Sequence, residues 1–597
     1  MFRDSIKKMS PIPLGYRKAQ LPNLQNDSNV EKLQSYNPIY PLFFEMDETN
    51  YNKVCFEHAK YMVDYNHIMK KDNPKKQIEC PMYIKYAPLI DPIHYLIGKY
   101  KNENNKWLQL PQLHSTTDDC MKKVLDYNNT SYIDTFFNYL SSRTLNDYHF
   151  YHGIDFYGSF LAVQKRFLFN AYEDMDYLRE SDYFLEKHGE IYEVDDYQEG
   201  SPTDDWPCVP ESNHKSDTHR PKLLFMEKER SSELEFTDFI EDVNTTDTNH
   251  DTDDTDQIEE ETVEDMEIVY ENHSDNKDEY DSDGSSVNYS TEEEEDETDD
   301  TQEEEPSDEE SEDGQSISST ESETDGSGTS MSEASNEFLP LYIYNFPIQM
   351  IAIEKCEGTL DELLDKNTID EDEITSALIQ IIFTLIAYQK MFDFTHNDLH
   401  TNNIVYKRTN EKFIYYQFDK KCYKVPSYGR LYKIIDFGRS IYRFQNKLFC
   451  SDSFAPNGDA NGQYNTEPYF DEKKARIEPN KSFDLCRLGC SMFNFILEKD
   501  DSSTYIPLSE MTQLQHLVYS WCLDDHGVNI LYKKNGDERY PHFKLYKMIA
   551  RLVHNKQPET QLSLPIFSQF VIANSPKKGF RMNLDELPTC WVSVESL

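Results

Sequence analysis

Thr395-His396-Asn397-Asp398-Leu399-His400-Thr401-Asn402-Asn403, answered further along by Asp436-Phe437-Gly438, is the part of this chain whose reading decides the rest. It sets an acid at 398, an amide at 403 and a second acid beside a glycine. A long apolar run precedes the first motif, and the strand-like Tyr432-Lys433-Ile434-Ile435 delivers the second.

Each residue type suits one task. A carboxylate at Asp398 in a tight loop can orient a hydroxyl and take its proton. Asn403 offers a neutral oxygen to a hard divalent cation and Asp436 a charged one, while Gly438 lets the backbone turn sharply behind it. These are the parts of a phosphoryl-transfer site, where positioning and charge stabilisation carry most of the catalysis.

His396-x-Asp398-Leu399-x-x-x-Asn403 followed by Asp436-Phe437-Gly438 resembles the catalytic loop and metal-binding triplet of the protein kinases. The resemblance implies an α+β, two-lobe fold, ATP with Mg2+, and transfer to serine or threonine hydroxyls of protein substrates. It makes Asp398 and His400 catalytic and Asn403 and Asp436 the metal ligands. Rich in Tyr and Asn and carrying a long acidic insert, the chain also resembles serine/threonine protein kinases of giant DNA viruses.

Along the chain, the same resemblance organises the rest. Residues 1–50, with Pro11, Pro13, Pro22, Pro38 and Pro41, read as an irregular arm, and residues 51–181 as a divergent small lobe. In it, Met82-Tyr83-Ile84-Lys85 is similar to the family strand whose lysine grips the nucleotide phosphates; Lys165, after Ala162-Val163-Gln164, is the rival. Ser131 to Leu140 reads as the helix that faces this strand. It has no glutamate; Asp134 is the nearest acid, and a plain N-terminal-turn acid is the alternative reading. No glycine occurs between Gly15 and Gly98, so the family's glycine-rich phosphate loop is missing.

Of the formal charge of −52, about −39 lies in residues 241–340, which hold 40 acids and the single base Lys277. Residues 182–337 therefore read as a polar to strongly acidic insert that buries too little apolar surface to order itself. Such a segment solvates the chain or attracts basic proteins. The folded remainder is mildly acidic, so neither nucleic acid nor membrane is an expected partner. Eleven cysteines without a CxxC pair point to a reducing intracellular compartment, the host cytoplasm or virion if the chain is viral. Ile374 to Phe392, interrupted by Thr375, Ser376, Gln380, Thr384, Gln389 and Lys390, reads as a buried helix rather than a span.

Residues 338–358 read as the last small-lobe strand and the hinge. By resemblance, Ile353 backs the adenine pocket and the backbone of Glu354 and Cys356 meets the ring edge. Residues 359–597 form the large lobe and a C-terminal extension. Two capping boxes, Thr359-x-x-Glu362 and Thr368-x-x-Glu371, start its first helices. Phe413 to Gly429 looks like an added hairpin, and Asp484 would tie down the backbone of the catalytic loop.

Two departures bear on function. Asn397 replaces the family's phosphate-receiving arginine, and His400 stands where serine/threonine kinases have a lysine, a form similar to small-molecule kinases. A protonated His400 is expected to assist transfer. Three readings stay open: a serine/threonine protein kinase, a small-molecule kinase on the same fold, and a pseudokinase or scaffold that uses its acidic insert to bind basic proteins.

Overall fold

The computed structural model describes residues 9–24, 27–103, 105–172, 174–194, 339–497, 508–533, 536–573 and 580–592, with helices and strands mixed throughout. The elements that frame the first half are β1 (Val30–Gln34), β2 (Met82–Pro88), α1 (Thr130–Tyr148), β3 (Phe156–Asn170), β4 (Tyr192–Val194) and β5 (Pro340–Glu354). They build an antiparallel sheet in the order β1-β3-β5-β2, with β4 paired to the start of β5. Strand β5 is central, and its run Phe346 to Ile353 is buried on both faces, as a continuous apolar run requires. Among the described residues β2 is an outer strand, with nothing paired beyond it.

Two boundaries differ from the sequence reading. The arm is not wholly irregular: Val30–Gln34 pairs with β3, and Tyr16–Lys18 pairs with Val54–Phe56. Prolines bracket these strands without entering them, which leaves the ladder donors intact. The start of the insert also shifts. Residues 182–194 hold a short helix, Asp182–Glu186, capped by Ser181, then β4, with Tyr192 buried and stacked on Phe184 at 4.4 Å. The rest of the expected insert, residues 195–337, lies outside the described residues.

The second half comprises α2 (Leu360–Asp365), α3 (Glu371–Phe392), β6 (Ile404–Arg408), β7 (Phe413–Phe418), β8 (Lys421–Pro426), β9 (Arg430–Ile434), α4 (Phe483–Leu497), α5 (Gln513–Trp521) and α6 (Lys544–Leu552). Thr359 caps α2 by accepting the Glu362 amide at 3.1 Å. Helix α3 is capped by Asp370, which accepts the Glu373 amide at 2.9 Å, and not by Thr368. The Thr368 hydroxyl instead donates to the Leu363 carbonyl and closes the end of α2. Long and apolar enough to cross a membrane, α3 is nevertheless 94% buried inside the fold over its most apolar window, the condition of a core helix.

The expected hairpin is present as β7 and β8. Its Tyr416 ring stacks on Phe383 of α3 at 4.0 Å, and its hydroxyl donates to His152 Nε2 at 2.6 Å. His152 Nδ1 then donates to the Tyr432 carbonyl of β9 at 2.7 Å. Burial holds this imidazole neutral, down to about 3. An aromatic cluster joins the two halves: Phe137 of α1 lies 4.3 Å from Phe394, 4.6 Å from Phe437, 4.9 Å from Tyr442 and 5.1 Å from Tyr388.

Phe137→Ala removes the centre of that cluster and is expected to cost about 3–5 kcal/mol, read by urea unfolding. A loss under about 1 kcal/mol would show that the neighbouring rings close the gap. Val194 pairs with Leu341, so the chain leaves and re-enters the sheet at one point. Replacing residues 241–335 by a short Gly/Ser linker is therefore expected to change stability by no more than about 1 kcal/mol. A much lower melting temperature would show that the removed residues belong to the fold.

Candidate active site

Helix α3 ends at Phe392, and Asp393 takes a left-handed turn (φ 50°) into the loop. Thr395 exchanges both backbone hydrogen bonds with Ile441. Buried Asp484, on the first turn of α4, accepts the amides of His396 and Asn397, each at 2.9 Å. His396 donates from Nε2 to the Ile435 carbonyl at 3.0 Å, and its Nδ1 accepts the Asp398 amide at 3.3 Å. The loop is thus tied from above by α4 and from the side by the strand that brings Asp436.

Asn397 is fully buried with φ 66°, a conformation that asparagine tolerates better than arginine. Its side chain donates to the Arg439 carbonyl at 2.9 Å and accepts the Tyr464 hydroxyl at 2.8 Å. This residue ties the loop to the segment after Gly438 by neutral bonds where a guanidinium was to be expected.

Asn403 commits its amide hydrogens to the Asp398 carbonyl at 2.9 Å and to His400 Nε2 at 3.1 Å, which leaves Oδ1 for a cation. Its own carbonyl accepts the Ile435 amide at 3.0 Å, so the backbone holds Asn403 beside the residue preceding Asp436. An amide oxygen and a carboxylate, neighbours through one hydrogen bond, are a donor set that fits a hard divalent ion. His400 differs from expectation. Burial lowers its pKa, and Nε2 is an acceptor toward Asn403, so the imidazole is neutral rather than cationic.

The third part comes from the sheet and α1. Lys85 Nζ lies 2.7 Å from Asp134 Oδ2 and 2.9 Å from Asp436 Oδ1. Asp134 is buried, accepts the Phe437 amide at 2.9 Å through Oδ1, and is braced by the Asn138 amide at 2.8 Å. Burial pushes Asp134 up. It pushes Asp436 the same way, but the Lys85 ammonium outweighs it and holds that carboxyl down to about 2. Burial alone would lower Lys85; its two carboxylates raise it instead. The rival Lys165 pairs with Glu31 of β1 at 2.9 Å and joins none of these groups. The left-handed residue of the triplet is Asp436 (φ 63°), not Gly438. Gly438 is closely packed instead, since a Cβ there would meet Thr130 Cγ2 at 3.0 Å and that side chain would have to give.

At the end of β5, Ile353 is buried, and the Glu354 amide donates to the Asp155 carbonyl at 2.9 Å. The Glu354 side chain turns into the fold. It binds buried Lys433 of β9 and Lys407 of β6, and it accepts the Asp155 amide at 2.9 Å. Cys356 is half-buried, and burial raises its thiol to about 12. Sequence reasoning missed this carboxylate between two lysines, as it missed Arg439 and Tyr546 beside Asp398. Tyr546 donates to Asp398 Oδ1 at 2.8 Å, and Arg439 lies 3.7 Å from Asp398 Oδ2. Only the position of Arg439, directly after Gly438, was a signal; Tyr546 is 148 residues away from Asp398.

No family model matches the chain. It is 30% identical over 178 residues to a protein of Acanthamoeba polyphaga mimivirus called "Putative serine/threonine-protein kinase", a match of 27% of this chain and 43% of that protein. It is 29% identical over 149 residues to an "Uncharacterized protein" of Invertebrate iridescent virus 6, covering 24% of this chain and 23% of that protein. The chain thus spans less than half the length of each relative.

Burial pushes Glu354 up, but the two lysines hold it down to about 2 from an ordinary 4.5. The stability this lends, ~3 kcal/mol, is complete above pH ~4.5 and is lost as pH falls through ~2. The stability gap between wild type and Glu354→Gln is therefore expected to be widest near neutrality and to close on acidification, in urea titrations at stepped pH. A gap independent of pH would assign the loss to packing.

Proposed function

We propose that this chain is a divergent serine/threonine protein kinase with a two-lobe fold, transferring phosphate from ATP with magnesium to hydroxyls of proteins. The observation that carries the reading is the meeting of Lys85, Asp134 and Asp436, brought together from a sheet, a helix and a loop with no contact between them in sequence. Asp398 and Asn403 stand on the adjoining loop. The mimivirus relative's name supports the same class.

In this reading Lys85 faces the phosphates, and Asp134 fixes its position. Asn403 Oδ1 and Asp436 hold magnesium, which draws negative charge off the phosphates when bound. Asp398 aligns the acceptor hydroxyl and takes its proton. Ile353 backs the base of the nucleotide, and the backbone near Cys356 meets its edge. His400, neutral and bonded to Asn403, orients that amide rather than supplying charge.

The test is incubation of the pure chain with labelled ATP, magnesium, and basic and acidic protein acceptors. Asp436→Asn is expected to abolish transfer together with magnesium-dependent ATP affinity. Asp398→Ala is expected to abolish transfer and spare that affinity. Equal loss of ATP binding in both variants would contradict the separate roles.

A further inference from the structure

The Asp398 carboxylate already holds a hydroxyl. Tyr546, in the first turn of α6, donates its phenol to Asp398 Oδ1 at 2.8 Å, and Arg487 Nε of α4 donates to the same phenol oxygen at 2.9 Å. The second carboxylate oxygen is covered by Arg439, 3.7 Å away. Both guanidinium groups also lie near the Tyr546 ring, at 5.1 Å for Arg487 and 5.7 Å for Arg439, and Phe543 stacks on it at 5.3 Å. Burial raises the phenol's pKa, so the oxygen keeps its proton and acts as donor toward the carboxylate.

An acceptor that yields its proton to Asp398 needs the same thing: an O–H placed at about 2.7 Å from a carboxylate oxygen. Tyr546 fills that requirement at Oδ1 while Arg439 guards Oδ2. Helix α6 is anchored by buried Ile549 and Ala550, and its first turn packs Phe543 and Leu545 beside the same cluster, although the N-terminus at Phe543 has no side-chain cap. The element that has to move is therefore the Tyr546 side chain rather than the helix.

We propose that Tyr546 is a gate on the acceptor side of the site: its hydroxyl occupies the place of the substrate hydroxyl on Asp398, and an acceptor binds by displacing it. The proposal rests on the phosphotransferase reading above. Entry then requires that the Tyr546 side chain rotate away from Asp398.

Tyr546→Phe keeps the ring and its stacking and removes the hydroxyl; Tyr546→Ala removes both. Wild type and the two variants are compared for MgATP affinity and for transfer to histone and casein, with melting temperatures to verify folding. Tyr546→Phe is expected to raise kcat/KM for the acceptor on the order of tenfold, mainly through KM, with MgATP affinity unchanged, since one hydrogen bond to a charged group no longer competes. Wild-type transfer with an equal or slower Tyr546→Phe would overturn the gate and leave the phosphotransferase reading standing. MgATP binding by both proteins with transfer by neither would also overturn it, because freeing Asp398 opened nothing. Absence of MgATP binding in both would overturn the phosphotransferase reading and the gate with it.

Discussion

One ammonium group between two carboxylates sets the geometry of this molecule. Lys85 stays charged in a largely enclosed position because Asp134 and Asp436 both reach it, and buried Asp134 tolerates its surroundings because Lys85 is there. A buried charge left without its partner costs several kcal/mol, so Lys85 and Asp134 are positioned together, and exposed Asp436 completes the cluster. Since they come from β2, α1 and the loop after β9, that one ion cluster fixes a sheet, a helix and a loop to a common point. Asp134 adds a fourth link by accepting the Phe437 amide. Phe137, one turn further along α1, packs on the ring of Phe437 itself.

Strand β9 is held along its length by contacts that each end in the segment carrying Asp436. Near its start, Tyr432 gives its amide to Gln380 of α3 and its carbonyl to His152. Next to it, Lys433 is buried against Glu354 and the Gly153 carbonyl. Just past its end, Ile435 is bonded at its carbonyl by His396 and at its amide by Asn403. The Glu354 pair joins the end of β5 to the same strand, so the base side and the phosphate side of the proposed cleft share one support. Such a chain of buried polar bonds is rigid when every member is satisfied.

The sequence revealed what local spacing and residue type can encode. The apolar stripe of α3, the hairpin after β6 and the strand with Lys85 follow from periodicity and turn residues, and Asp484 from its place in a motif. What it hid was contact at long range. Nothing in Tyr546 or Lys433 sets them apart from core aromatic or surface basic residues until the fold brings Asp398 and Glu354 to them. The two boundary differences have a local cause. Val30–Gln34 and Tyr192–Val194 are too short to show a period of their own, and each is stabilised as a strand only by the long partner beside it. Thr368 and Asp370 both suit a helix cap, and the choice fell to Asp370 because the end of α2 claims the threonine hydroxyl.

Charge balance bears on how the proposed site would take its ligands. Lys85 is fully matched by two carboxylates, which leaves its cluster with a net negative charge before any ligand arrives. Asp398 is balanced by Arg439, which also pairs with Asp459. A bare polyphosphate approaching Lys85 therefore meets Asp436 as well, and the repulsion offsets much of the attraction of the ammonium. The arrangement favours a polyphosphate that brings its own cation, because the carboxylate that repels one ligates the other. On this account Asp436 does more than hold metal. It helps keep Lys85 in place when the site is empty and would free it toward the phosphates when a cation takes over its charge, while Asp134 keeps the lysine positioned.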